Sequence, residues 1–98
     1  MPASTARDTV YADLERIARV VREHHPSAGT LLVRFGSDHR MRPVDIFARV
    51  GSPELTRELV RDLQPALDRA CALAAELRAE QAATGDEELI VFLPPLHP

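Results

Sequence analysis

The order of hydropathy patterns predicts an α+β fold, read α-β-β-α-β, with two helices and a three-stranded mixed sheet. Three observations carry this reading. A helical-period apolar stripe runs over residues 10–21, two alternating segments flank a Gly-Ser-Asp-His turn at 36–39, and a second helical stripe leads into an apolar run at 89–93.

In the first element Val10, Leu14, Ile17, Ala18 and Val21 recur at helical spacing on one face. Thr5 and Asp8 form a capping pair ahead of it, so residues 1–5 are expected as an extended tail. Glu15–Arg19 and Arg19–Glu23 are i,i+4 neighbours that support the helix. Pro26 disfavours helical geometry at His25, and the helix is expected to stop near His24.

Residues 30–35 read as a strand with Leu31, Val33 and Phe35 on one face and Leu32 and Arg34 on the other. Residues 44–50 form the second, with Val44, Ile46, Ala48 and Val50 opposed to Asp45, Phe47 and Arg49. The two make a hairpin with a long tip. Pro43 cannot donate a ladder hydrogen bond, which puts the second strand at an edge of the sheet.

Ser52-Pro53-Glu54 has the chemistry of a helix start, an N-cap hydroxyl followed by Pro and an acid. The apolar stripe from Leu55 runs to Ala83, and Gly85 is the expected stop. Unbroken, that helix would be about 46 Å long at 1.5 Å per residue. A kink or break near Pro65, where the imide removes a backbone bond, is expected instead. The last strand, residues 88–93, is apolar on both faces, and Pro94-Pro95 ends it, leaving 94–98 as an extended tail.

With a right-handed crossover the last strand runs parallel to the second, and the favoured strand order is 2-1-3 with both helices on one face. The topology resembles a ferredoxin-like split fold lacking its first strand, a likeness that carries no activity. Leu32, Phe47 and one of the pair Ile90/Phe92 then lie on a sheet face that no third helix covers. Either the second half of the long helix folds back over that face, or a partner buries it. At roughly 25 cal/mol per Å², covering such side chains contributes several kcal/mol.

The 98 residues suit a single domain spanning the whole chain, and 45% of them are hydrophobic and 28% charged. All 12 cations are Arg, an imprint expected of a GC-rich, bacterial genome. A net charge of −3 gives no general attraction to nucleic acid or to an anionic membrane. The single Cys precludes an intramolecular disulfide, no apolar run approaches membrane-spanning length, and a cytoplasmic location is the expectation.

No residue set has the pattern of a catalytic or metal centre. Ser37, Asp38 and His39 are consecutive and cannot form a relay, so they read as turn residues. His24 and His25 suit a helix C-terminus and lack a ligand at i+4. Cys71 on the Ala-rich helix reads as a buried small hydrophobe. Ala66, Ala70 and Ala74 permit close helix approach, within the fold or between subunits. Pro95-Leu96-His97-Pro98 has PxxP spacing, with a frayed terminus as the simpler reading.

The expected function is therefore a non-catalytic protein-interaction or oligomerisation module, with no cofactor. It would dock through its apolar last strand and the face carrying Leu32, Phe47, Ile90 and Phe92, onto itself as a homodimer or onto a larger complex. The alternative is an anion or nucleic-acid binder using Arg34, Arg40, Arg42 and Arg49 on the hairpin. Nucleic acid is disfavoured, because stacking aromatics and a net basic face are missing, and Asp38 and Asp45 invite local ion pairs instead.

Overall fold

A computed structural model describes residues 2–95 and shows the order α1 (Pro2–His24), β1 (Ala28–Phe35), β2 (Met41–Ala48), α2 (Arg57–Arg69), α3 (Cys71–Thr84) and β3 (Glu88–Phe92). The class is α+β and the strand order is 2-1-3, as the sequence predicts. The sheet is antiparallel throughout, not mixed, since β1 sits between β2 and β3 and runs antiparallel to both. The outer strands do run parallel to one another, but they are never neighbours.

One apolar core holds the elements together. Ile17, Ala18 and Val21 of α1 meet Leu31 and Val33 of β1, Ile46 of β2, Leu59, Leu63 and Leu67 of α2, Leu73 and Leu77 of α3, and Leu89 and Val91 of β3. The alternation in β1 is as the hydropathy predicts: Leu31 and Val33 are fully buried, while Arg34 is exposed. Both α2 and α3 pack against α1, and α2 also covers β2.

Element boundaries correct several expectations. α1 begins at Pro2, so Thr5 and Asp8 lie inside the helix instead of capping it. β2 starts three residues earlier than the hydropathy suggests and includes Pro43. Its register slips between Leu32 and Val33, leaving Val44 without an opposite residue. Val50, expected on the inward face, lies outside the strand and is exposed. Pro94 and Pro95 carry no regular structure, and the PxxP residues Leu96, His97 and Pro98 lie outside the described residues.

The long second helix is two helices, and the break is not at Pro65. Pro65 lies inside α2 on its exposed side, and the chain departs from helical geometry at Ala70 (φ −83°, ψ 58°). Ala70 N–H still bonds Leu67 O at 3.1 Å, and Ala74 N–H bonds Ala70 O at 2.8 Å, so the turn loses little hydrogen bonding. The break lets both halves of one apolar stripe reach α1. Ser52 does not start α2 either: Thr56 is the N-cap, with Oγ1 accepting from Leu59 N–H at 3.2 Å.

Candidate functional site

The helices all lie on one side of the sheet, and among the described residues nothing covers the other side. Successive residues point to opposite faces, so the strands that bury Leu31, Ile46, Leu89 and Val91 turn Leu32, Phe47, Ile90 and Phe92 outward. Phe47 is 47% exposed, Ile90 53% and Phe92 74%. Leu32, on the central strand, is half-buried between its neighbours.

Register arranges this face in rows. Thr30 stands between Phe47 and Phe92, Leu32 between Asp45 and Ile90, and Arg34 between Arg42 and Glu88. In the first row a small residue separates two aromatic ones. Phe47 and Phe92, with Gly29, Thr30, Ala48 and Arg49, line an open groove of about 590 Å³ at that end of the sheet. The groove is invisible to hydropathy alone, because it depends on which residues β1 brings opposite each other.

The last row turns polar. Arg34 and Arg42 face each other, a like-charge pair that needs compensation. Arg34 Nη2 donates to Glu88 Oε1 at 2.8 Å, and Arg42 clamps Asp38 with Nη1–Oδ1 3.1 Å and Nη2–Oδ2 2.9 Å. The Arg42 guanidinium lies over Gly36, where a Cβ would fall 2.2 Å from Nη1. Arg40 reaches across to α2 and holds Asp68 through Nε–Oδ1 at 3.0 Å and Nη2–Oδ2 at 2.8 Å. The Arg42 hydrogen bonds, followed by the Arg40 backbone N–H, hold the Asp38 carboxyl down at about 2. The Arg40 hydrogen bonds and then Gln64 do the same for Asp68. Arg40 and Arg42 are correspondingly raised by their carboxylates.

Three members of the alternative anion site, Arg34, Arg40 and Arg42, are thus each engaged by a carboxylate of the chain. Arg49 lies beyond the other end of β2, beside the aromatic groove. Asp45, expected to pair with an arginine, instead accepts its neighbour Ile46 N–H at 2.8 Å.

The remaining candidates have structural partners. His24 Nε2 lies 3.0 Å from Asp62 Oδ2, and His25 Nε2 donates to Glu54 O at 2.8 Å. Residues 37–39 form the hairpin turn, with His39 at φ 62° and its N–H on Gly36 O. Cys71 is exposed, not buried, because the break at Ala70 makes it the first residue of a new helix. Ala66 and Ala70 are buried in the core, which settles the small-residue stripe as internal packing for those two positions. Among the described residues no His, Cys, Asp and Glu side chains group in threes or more to hold a metal, and no helix is long and apolar enough to cross a membrane.

Sequence reasoning missed two residues that hold this arrangement. Arg22, at the end of α1, donates to Ala28 O, Leu93 O and Pro94 O, tying the start of β1 to the end of β3. Asp13, the one buried charged residue described, accepts Leu73 N–H at 3.2 Å and so caps α3 from a different helix. Neither leaves a local signature of this role, since Leu73, Leu93 and Pro94 lie far along the chain.

Comparison with family models, with curated proteins and with solved structures finds no match to this chain.

Proposed function

We propose that the chain is a non-catalytic protein-interaction module that assembles through β3 and the outer face of its sheet. The observation that carries this reading is the placement of Phe47, Ile90 and Phe92, all large, all exposed and all on the face that no helix covers. Scattered apolar residues on a surface need no explanation, but a grouped set does. The folding core is complete without these side chains, which leaves them free for a partner. Aromatic residues set beside an open groove are the anchors that interfaces use most effectively.

The ion-paired hairpin supplies a polar border to this face instead of a separate anion site. Anion binding would have to displace Asp38 and Asp68 from guanidinium groups that they hold in paired hydrogen bonds, and Glu88 from a single one. That cost favours the interaction reading over the phosphate-binding one.

The test is light scattering behind gel filtration across micromolar concentrations, together with affinity capture from the source cells, on wild type and Phe92→Asp. A mass above the 10.9 kDa of one chain, or a captured protein, that is lost in the Phe92→Asp chain supports the reading. A wild type that stays monomeric and captures the same proteins as the variant refutes it.

A further inference from the structure

We infer that the partner is a second copy of this chain, joined by antiparallel pairing of β3 with the partner's β3 about a two-fold axis at Ile90. This rests on the interaction reading above and names its occupant.

Leu93 N–H donates to Gly29 O at 2.9 Å, which makes 29 and 93 a hydrogen-bonded pair. Antiparallel strands alternate bonded and non-bonded pairs. The register continues with Leu31 opposite Val91 and Val33 opposite Leu89, so those residues spend their backbone groups on β1. Glu88, Ile90 and Phe92 occupy the intervening positions, and their N–H and C=O groups point away from the sheet.

The two edges are treated differently. On β2 two outward groups are occupied and a third is missing: Asp45 takes Ile46 N–H, Gln64 Nε2 donates to Met41 O at 2.8 Å, and Pro43 has no N–H to offer. No described side chain bonds the outward backbone groups of Glu88, Ile90 or Phe92. Nor does β3 carry the Lys or Pro that blunt an edge. Its one charged residue, Glu88, is neutralised by Arg34.

Registers can then be compared. Centring on Glu88 sets it against the partner's Glu88, a like-charge pair. Centring on Val91 or Phe92 draws Pro94 into the ladder, where it has no N–H and its carbonyl is held by Arg22. Centring on Leu89 sets Phe92 against Asp86, which lies outside the strand. Centring on Ile90 uses the strand residues alone: Ile90 meets the partner's Ile90, Glu88 meets the partner's Phe92, and about six backbone hydrogen bonds form. Leu32 and Ile90 then continue into the same pair of the partner, making one apolar row across a six-stranded sheet.

The experiment is amide hydrogen exchange read residue by residue at low micromolar and at millimolar concentration, with mass measured alongside. Ile90 and Phe92 amides are expected to gain about tenfold protection or more as the mass doubles, while Leu89 and Val91 are protected at both concentrations. Ile90→Pro removes an outward N–H that β1 does not use, so it is expected to fold and to remain monomeric. Val50→Asp, at an exposed residue outside the strands, is expected to dimerise as wild type does.

A dimer without new protection at Ile90 and Phe92, or one kept in Ile90→Pro, overturns strand pairing and leaves the interaction reading standing. A monomer at every concentration also overturns it, and the interaction reading is then decided by capture sensitive to Phe92→Asp. Should Ile90→Pro fail to fold, the exchange pattern of the wild type still decides.

Discussion

At the scale of single residues, the side chains with most to do are ones that bond backbone groups far along the chain. Asp13 is buried and holds Leu73 N–H, a service that α3 cannot obtain from Ala70, its own N-cap residue. Asp13→Ala is expected to lower stability to urea by about 1–2 kcal/mol, the usual cost of a lost cap, whereas Asp13→Asn keeps an acceptor and recovers most of it. An unchanged urea midpoint in Asp13→Ala would show that the α3 terminus finds its bond elsewhere. The exposed pairs act through charge. Asp38 and Asp68 titrate near 2, below the ordinary aspartate value of 3.8. A depressed carboxylate contributes stability above its unfolded pKa and loses it as pH falls through the folded one, so both pairs persist at neutral pH and fade from about 4 down to 2. Carboxyl NMR titration of Arg42→Ala is expected to return Asp38 upward towards 3.8, with Asp68 still held low by Arg40.

At the scale of elements, the sequence carries the faces of strands better than the ends of helices. Two-residue alternation put Leu31 and Val33 inside and Leu32 outside, because a pleat allows nothing else. The start of α2 departs from the local signal: Ser52-Pro53-Glu54 has the chemistry of a helix start, yet Thr56 is the N-cap, and the helix behind it buries Leu59 and Leu63. Thr56→Ala is expected to cost about 1 kcal/mol in urea denaturation, and Ser52→Ala close to nothing. Equal costs would place the helix start elsewhere. The break was misplaced for a related reason. Pro65 is a local helix-breaking signal, but a proline on an exposed helix face is tolerated at a cost, while Ala70 breaks the helix because both halves of the stripe must reach α1. Pro65→Ala is therefore expected to raise stability by roughly 1–2 kcal/mol, restoring the missing hydrogen bond against a small gain in unfolded-state entropy. It is not expected to fuse α2 with α3, and a continuous helix through Ala70 in the variant, seen in its backbone chemical shifts, would contradict this.

For the molecule as a whole, size decides what is left over. A chain of 98 residues buries only about 60–65% of its unfolded surface, and here three helices and three strands close one side of the sheet. The outer face was legible in the sequence because it follows from alternation plus strand order. Its groove and its polar border were not, since Phe47–Thr30–Phe92 and Arg42–Arg34–Glu88 become neighbours only through register. The long helix does not fold back over this face: α3 lies on α1 instead, and Phe47, Ile90 and Phe92 stay exposed. These residues are surplus to the monomer's core, so Phe92→Asp is expected to change folding stability by no more than about 0.5 kcal/mol. The most direct measurement of their role is the solution mass of folded wild type and folded Phe92→Asp at matched high concentration. Self-association through this face requires an assembled wild type and a variant at 10.9 kDa. Equal assembled masses for the two chains would contradict it.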